Sequence, residues 1–327
     1  MADSQLVIVP PPRAAVFLVA TLEPGGENGV RDLLGDVSGL RRSVAFRAPD
    51  AALSCVVGIG SAAWDRLFSG PRPRELHPFE ALEGPRHRAP ATPGDLLFHV
   101  RAQRMDLCFE LARLLAERLE GAARVVDEVH GFKYFDERDL LGFVDGSENP
   151  EGNLAADSVY VGDEDPEFSG GSYVIVQKYV HDLAAWNALP SDEQEKVIGR
   201  TKMENIELSD ETKPVDSHVA LNTVTDEDGT ERKIVRENMA FGSISEGEFG
   251  TYFIGYARTP EVTEQMLRNM FLGDRPGVHD RILEFSTAET GNLFHVPTED
   301  FLDDLPDAPE GAAETGGSLG IGSLKGA

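Results

Sequence analysis

The sequence predicts an α+β protein built from two halves with the same order of elements. Three observations predict it. The 327 residues, 41% of them hydrophobic, exceed what one ordinary domain of about 100–150 residues needs. Short β-branched and aromatic runs alternate with stretches of helical apolar spacing. That alternation starts again in the second half, although no residue-level repeat is visible.

Ala15, Val16, Phe17, Leu18 and Val19 sit between a proline run and Glu23, Pro24, Gly25 and Gly26, so residues 14–22 read as a buried strand. Residues 43–46 and 53–60 read as two more strands. A helix opens near Ser61 with Trp64, Leu67 and Phe68 on one side. Residues 95–100 form a further strand. From 103 to 119, Leu107, Phe109, Leu111, Leu114, Leu115 and Leu119 follow helical spacing. The second half gives a strand at 172–180, helices at 183–189 and 192–198, strands near Ile234 and at 251–256, and a helix at 261–271. Pro260 and Glu261 suit that last helix's first turn, because proline fixes φ where no N–H bond is needed and a carboxylate favours the helix dipole.

Two segments stand apart. Residues 70–94 hold six prolines and a basic cluster of Arg72, Arg74, Arg86, His87 and Arg88, and read as a long ordered loop covering a face. Residues 297–317 are Asp, Glu, Pro, Gly and Ala with few apolar anchors, as in a flexible linker.

Thirty Lys and Arg against 57 Asp and Glu leave a net charge of −27, whose field repels phosphate backbones and anionic lipid headgroups. Nucleic acid and membranes are therefore poor partners, and no run of 18 apolar residues is present to span a bilayer. Cys55 and Cys108 lie in apolar contexts without CxxC spacing and read as core residues of a protein from a reducing compartment. Residues 1–13 are proline-rich with no apolar leader core, so the expected location is cytoplasmic.

The eight histidines form no HExxH, HxH or His–Cys cluster, which argues against a locally built zinc site. A cofactor needing one protein ligand remains open, and heme is the common example. Three polar segments interrupt apolar elements: Leu141 to Pro150 with Asp145, Glu148 and Asn149; Val215 to Asn222 with His218; and Ile234 to Gly242 with Arg236 and Asn238. Taken singly, the first reads as an ordinary Asp-Gly turn, the second as a satisfied histidine and the third as a solvated strand charge.

Together they resemble one family. The run Gly142-Phe143-Val144-Asp145-Gly146-Ser147-Glu148-Asn149-Pro150 is similar to the signature of the dye-decolourising peroxidases, in particular the bacterial type B group. The similarity continues through Gly199 to Lys202, Ser217-His218-Val219, Ile234 to Asn238, Pro90 to His99 and Gly277 to Phe285. The resemblance implies two ferredoxin-like halves with antiparallel sheets, of the dimeric α/β-barrel type, at residues 1–130 and 131–300, with heme b held mainly by the second. It implies an enzyme that reduces hydrogen peroxide and oxidises small aromatic one-electron donors such as dyes and phenols, and that forms a homo-oligomer. A heme-binding or heme-handling cargo protein with incidental peroxidase activity is the competing reading, and a non-heme member of the same superfamily a further one.

By the same resemblance His218 is the iron ligand, its other ring nitrogen donating to an acceptor for which Asp280 is the candidate. Asp145 and Arg236 match the pair on the opposite heme face. Peroxide must lose a proton from its inner oxygen and gain one on the outer, which suits a carboxylate, while a guanidinium stabilises the charge on the leaving oxygen. Arg236 is favoured as the more important of the two, and Asn238 would position peroxide or water. Arg200 fits a heme propionate, Val144, Gly146, Ser147 and Glu148 would line the heme edge, and Thr251 and Phe253 complete the pocket. Glu237, between two such residues on a strand, should point the other way.

Residues 301–317 then serve as linker to residues 318–327, from Ser318 to the final Ala327. There Leu319, Ile321 and Leu324 are spaced by glycine and serine, as suits an extended peptide pressing apolar side chains into a groove. This segment resembles the cargo-loading peptide of encapsulin nanocompartments, which implies packaging inside an encapsulin shell.

Overall fold

The apolar run at 14–22 forms strand β1 (Ala14–Leu22), buried along nearly all its length. In the computed structural model, which describes residues 3–273, 275 and 277–309, it is the first strand of a closed barrel. Helix α1 (Glu27–Ala45), β2 (Ser54–Gly60), α2 (Ser61–Leu67), β3 (Leu96–Ala102), α3 (Met105–Arg118) and β4 (Ala123–Phe132) complete the first half. The second half contains α4 (Gly152–Val159), β5 (Ser172–His181), α5 (Leu183–Ala188), α6 (Ser191–Ile198), α7 (His218–Asn222), β6 (Val235–Arg236), β7 (Met239–Ser243), β8 (Glu248–Ala257), α8 (Pro260–Leu272), β9 (Ser286–Ala288), β10 (Asn292–Val296) and α9 (Glu299–Asp303).

The antiparallel ladder runs β8, β7, β4, β1, β3, β2, β10, β5 and back to β8, where Gly250 faces Val180 and Ala257 faces Tyr173. Within each half the four long strands take the same spatial order, fourth, first, third, second. The repeat expected from element order is therefore real, and closure removes the free edges that two separate sheets would expose. Both strand faces are covered, which is why β2 and β3 are buried at every position and their sequences are apolar without alternation. Phe17, Val176, Tyr252, Ile254 and Phe294 fill the barrel interior, while Val16, Leu18, Val57 and Phe98 pack outward on Leu33 and Leu34 of α1 and Leu111 and Leu115 of α3.

Several sequence expectations are corrected. Residues 43–46 are not a strand but the last turn of α1, whose buried Val30, Leu33, Leu34, Val37 and Val44 keep helical spacing. Phe109, expected on the buried side of α3, is exposed and packs edge-on against His130. Strand β4 was not foreseen because its inward positions include Asp127 and Gly131. In the loop at 70–94 the basic cluster is spent locally: Arg72 pairs with Asp65, Arg74 with Asp165 and Arg86 with Glu284.

The expected linker does not begin at 297 or 301. Thr298 caps α9 by accepting the Phe301 N–H, Leu302 is buried, and Phe301 stacks on Trp64 at 5.2 Å. Arg31 Nη2 donates to the Pro306 carbonyl, and the Ser69 N–H to that of Asp307. Residues 318–327, expected to carry the targeting peptide, lie outside the described residues. Relative to a chain ended after residue 309, one ended after Val296 should lose about 3 kcal/mol, since it uncovers two apolar side chains and several hydrogen bonds. Thermal unfolding of the two chains measures the difference, and equal melting temperatures would contradict this docking.

Candidate active site

Between the outer face of β5 and β8 and helices α7 and α8 lies a cavity of about 580 Å³. The helix side contributes His218, Met266, Leu267 and Met270; the sheet side contributes Tyr179, His181, Thr251 and Phe253. The segment from Leu141 to Glu148, together with Ile234, Arg236 and Asn238, closes the third side, and Arg200, Lys213, Arg232 and Lys233 stand at its rim.

His218 is the first residue of α7, behind the fully buried Ser217, whose Oγ caps the helix by accepting the Ala220 N–H. Its Nδ1 lies 2.7 Å from Asp280 Oδ2, and Asp280 is 0% exposed. The other oxygen, Oδ1, accepts the Ile282 N–H at 3.0 Å. A carboxylate accepts only, so Nδ1 carries the proton and Nε2 the lone pair. Among the described residues Nε2 has no hydrogen-bond partner. Asn222, one turn along α7, donates to the His218 carbonyl at 2.8 Å and lies 3.3 Å from the same Asp280 oxygen.

Across β6, Asn149 clamps the backbone of Arg236: its Nδ2 donates to the Arg236 carbonyl at 2.6 Å and its Oδ1 accepts the Arg236 N–H at 2.9 Å. Gly142 (φ 91°) and Gly146 (φ 80°) turn the preceding loop through left-handed conformations that bulkier residues resist. The Arg236 guanidinium has no ion pair or hydrogen bond among the described residues. Each of the four rim cations holds a carboxylate: Arg200 that of Glu148, Lys213 that of Glu207, Arg232 that of Glu261 and Lys233 that of Glu231. Asn238 Oδ1 accepts the Ile254 N–H at 3.1 Å while its Nδ2 donates to Asp145 Oδ1 at 3.2 Å. Glu237 points away, as its strand position requires, into an ion pair with the fully buried Arg101 of β3.

Val144, Asp145, Gly146, Ser147, Glu148, Arg200, His218, Arg236, Asn238, Thr251 and Phe253 thus meet at one cavity, with Asp280 directly behind His218. Thr251 reaches the cavity with its hydroxyl bonded to His181 Nε2 at 2.9 Å. Asn149 and Asn222 escaped the sequence reading as positioning groups. Asn222 carried a signal, its spacing of one helical turn from His218. Asp139 was also missed: beneath the loop its Oδ1 accepts the Phe143 N–H, and burial pushes its carboxyl up to about 7.

Among the described residues no group of three or more His, Cys, Asp or Glu is placed to hold a metal ion unaided, and no helix is long and apolar enough to cross a membrane. Two family models cover the body of the chain: Dyp-type peroxidase, N-terminal, over residues 5–133, and Dyp-type peroxidase, C-terminal, over residues 136–301. The chain belongs to the Dyp-type peroxidase family. A dye-decolorizing peroxidase of Mycobacterium tuberculosis is 63% identical across 98% of this chain and 97% of its own. The encapsulated DyP-type peroxidase from Mycobacterium smegmatis superposes with a TM-score of 0.93 at 63% identity, over 94% of this chain and 100% of that one. A variant of DypB from Rhodococcus jostii, solved in complex with heme, superposes with a TM-score of 0.91 at 57% identity, over 93% and 99% of the two chains.

His181, bonded to Ser286 Oγ and Thr251 Oγ1, is held neutral by burial, which lowers it from 6.5 to about 4. Between those values the unfolded chain binds a proton that the folded chain refuses, so stability falls as pH drops through this window. His181→Gln should remove one histidine's share of that fall, about 2 kcal/mol at pH 5. Urea unfolding at pH 7 and pH 5 reads it, and a variant with the parent's pH dependence would contradict a neutral His181.

Proposed function

We propose that the cavity holds heme b through His218 Nε2, and that the enzyme reduces hydrogen peroxide there while oxidising small aromatic donors such as dyes and phenols. One observation carries this reading: a lone pair on an imidazole fixed by a buried carboxylate faces the same cavity as the uncompensated Arg236 guanidinium. The residues present fit the group. Met266, Leu267, Met270, Ile282 and Phe253 offer an apolar bed for a flat macrocycle, and the cations at the rim suit its carboxylates, Arg200 with a planar fork.

When bound, the heme supplies an iron able to change oxidation state as the O–O bond of peroxide is cleaved. Asp280 keeps the imidazole in one tautomer and raises its basicity by accepting from Nδ1. Asp145 Oδ2 has no partner among the described residues and takes a proton from the inner oxygen of peroxide, then returns it to the outer one. Asn238 holds that carboxylate in place through its amide. The Arg236 guanidinium meets the negative charge on the departing oxygen.

Two wider readings accompany the site. The match to a protein described as encapsulated supports packaging of this chain in an encapsulin shell in the cytoplasm through residues 318–327. A homo-oligomer suits such cargo.

His218→Ala should abolish the Soret band of the purified protein. Arg236→Ala should keep the band and slow reaction with peroxide by about 10²–10³-fold. A full peroxide rate in the Arg236 variant would favour a heme-handling protein with incidental activity. Deleting residues 318–327 should leave the enzyme outside co-expressed shells, and continued enclosure would refute the address.

A further inference from the structure

Four aromatic rings stack through the barrel interior, and two of them are tyrosines. Tyr256 of β8 lies over His99 of β3 with centroids 6.1 Å apart. His99 stacks on Phe17 of β1 at 4.7 Å, and Phe17 on Tyr252 of β8 at 4.2 Å. All four side chains are sealed from solvent. The row begins next to the candidate site: Tyr256 is the cross-strand partner of Val235 and Gly255 that of Arg236, while the neighbouring Ile254 N–H holds Asn238.

The tyrosines differ in one respect. The Tyr256 hydroxyl lies 2.8 Å from His99 Nδ1, whereas that of Tyr252 has no hydrogen bond among the described residues. If Nδ1 carried the proton, both the Tyr256 O–H and the His99 Nε2 lone pair would be buried without partners. If Tyr256 donates, only the Nε2 N–H is left over. Tyr256 is therefore the donor. Burial, with Arg101 nearby, holds the imidazole well below its usual range, so Nδ1 is free to accept. Burial likewise pushes the Tyr256 phenol up. The pair is inert until an electron leaves it.

We propose that Tyr256 and His99 form a redox-active pair that holds one of the two oxidising equivalents delivered by peroxide; this rests on the heme reading above. Hydrogen peroxide takes up two electrons and two protons to give two waters. One of those electrons is drawn from Tyr256 and the other from the bound heme, while solvent supplies the two protons. Its phenolic proton crosses the 2.8 Å bond, so the O–H bond breaks, the Nδ1–H bond forms, and a neutral tyrosyl radical stands beside an imidazolium. Loss of the electron turns the phenol into a strong acid, so even this imidazole takes the proton. A phenol or dye then gives one electron back to the radical, and the proton returns from His99 to the tyrosine oxygen. The burial that disfavours the imidazolium drives this return and makes the pair reversible. Tyr252 has no acceptor for its proton among the described residues and does not substitute.

The test mixes the heme-loaded full chain with hydrogen peroxide in the absence of a donor, freezes it, and records electron paramagnetic resonance alongside the heme absorption. The expected result is a tyrosyl signal that is lost in Tyr256→Phe and kept in Tyr252→Phe, with the heme band responding to peroxide in all three. His99→Gln, which accepts a hydrogen bond but cannot carry the proton, should lower the yield of radical while leaving the Soret band in place. A tyrosyl signal that persists in Tyr256→Phe overturns the inference, as does a responding heme band with no tyrosyl signal in the parent protein. A heme band that ignores peroxide altogether overturns the heme reading, and the pair's role with it.

Discussion

The hydrogen bond between His218 Nδ1 and Asp280 Oδ2, 2.7 Å long, is the constraint on which the site depends. Asp280 has no exposed surface, and a buried carboxylate stripped of its partner costs about 3–5 kcal/mol. Its two oxygens are therefore committed, one to the imidazole and one to the Ile282 N–H that opens the turn Arg281–Glu284. Its own N–H donates to the Met270 carbonyl at the end of α8. One side chain thus ties α7, α8 and the following turn together, and in doing so leaves a single ring nitrogen to face the cavity.

The two halves of the duplicated architecture differ in what fills the space between helix and sheet. Both halves lay four strands in the same order and cover the outer face with helices. In the first half Leu33, Leu34, Leu111 and Leu115 fill the space between helix and sheet. In the second, the corresponding face carries Tyr179, His181, Thr251 and Phe253, and α8 stands off across the cavity. The long excursion between β5 and β6 supplies α7 and the rim cations. The first half still reaches the site through Arg101, whose ion pair with Glu237 fixes the strand that presents Arg236 and Asn238 on its other side.

Much of this was legible in the residues. Strands β1, β2, β3 and β5 announce themselves as apolar runs because both faces of a barrel strand are buried. Strand alternation alone puts Glu237 opposite Arg236. The misreadings share a cause, which is that local pattern loses to tertiary context. The last turn of α1 ends in the apolar run Val44-Ala45-Phe46 and passes for a strand, and β4 hides Asp127 and Gly131 among its inward positions. Residues 297–309 look like linker by composition, yet Phe301 finds Trp64 and Leu302 finds the core. At the site the chemistry-bearing types were readable from motif resemblance. Of the groups that orient them, Asn222 shows in its one-turn spacing from His218, whereas Asn149 acts through backbone contacts that no spacing rule exposes.

The central claim concerns a bond from position 218 to iron and a carboxylate that strengthens it. Resonance Raman spectroscopy of the ferrous, heme-loaded protein reads both at once through the iron–histidine stretching line. The account predicts such a line in the parent protein and its displacement to lower frequency in Asp280→Asn, where the acceptor loses its charge. A line that does not move on that substitution, or a parent protein without one, would contradict it.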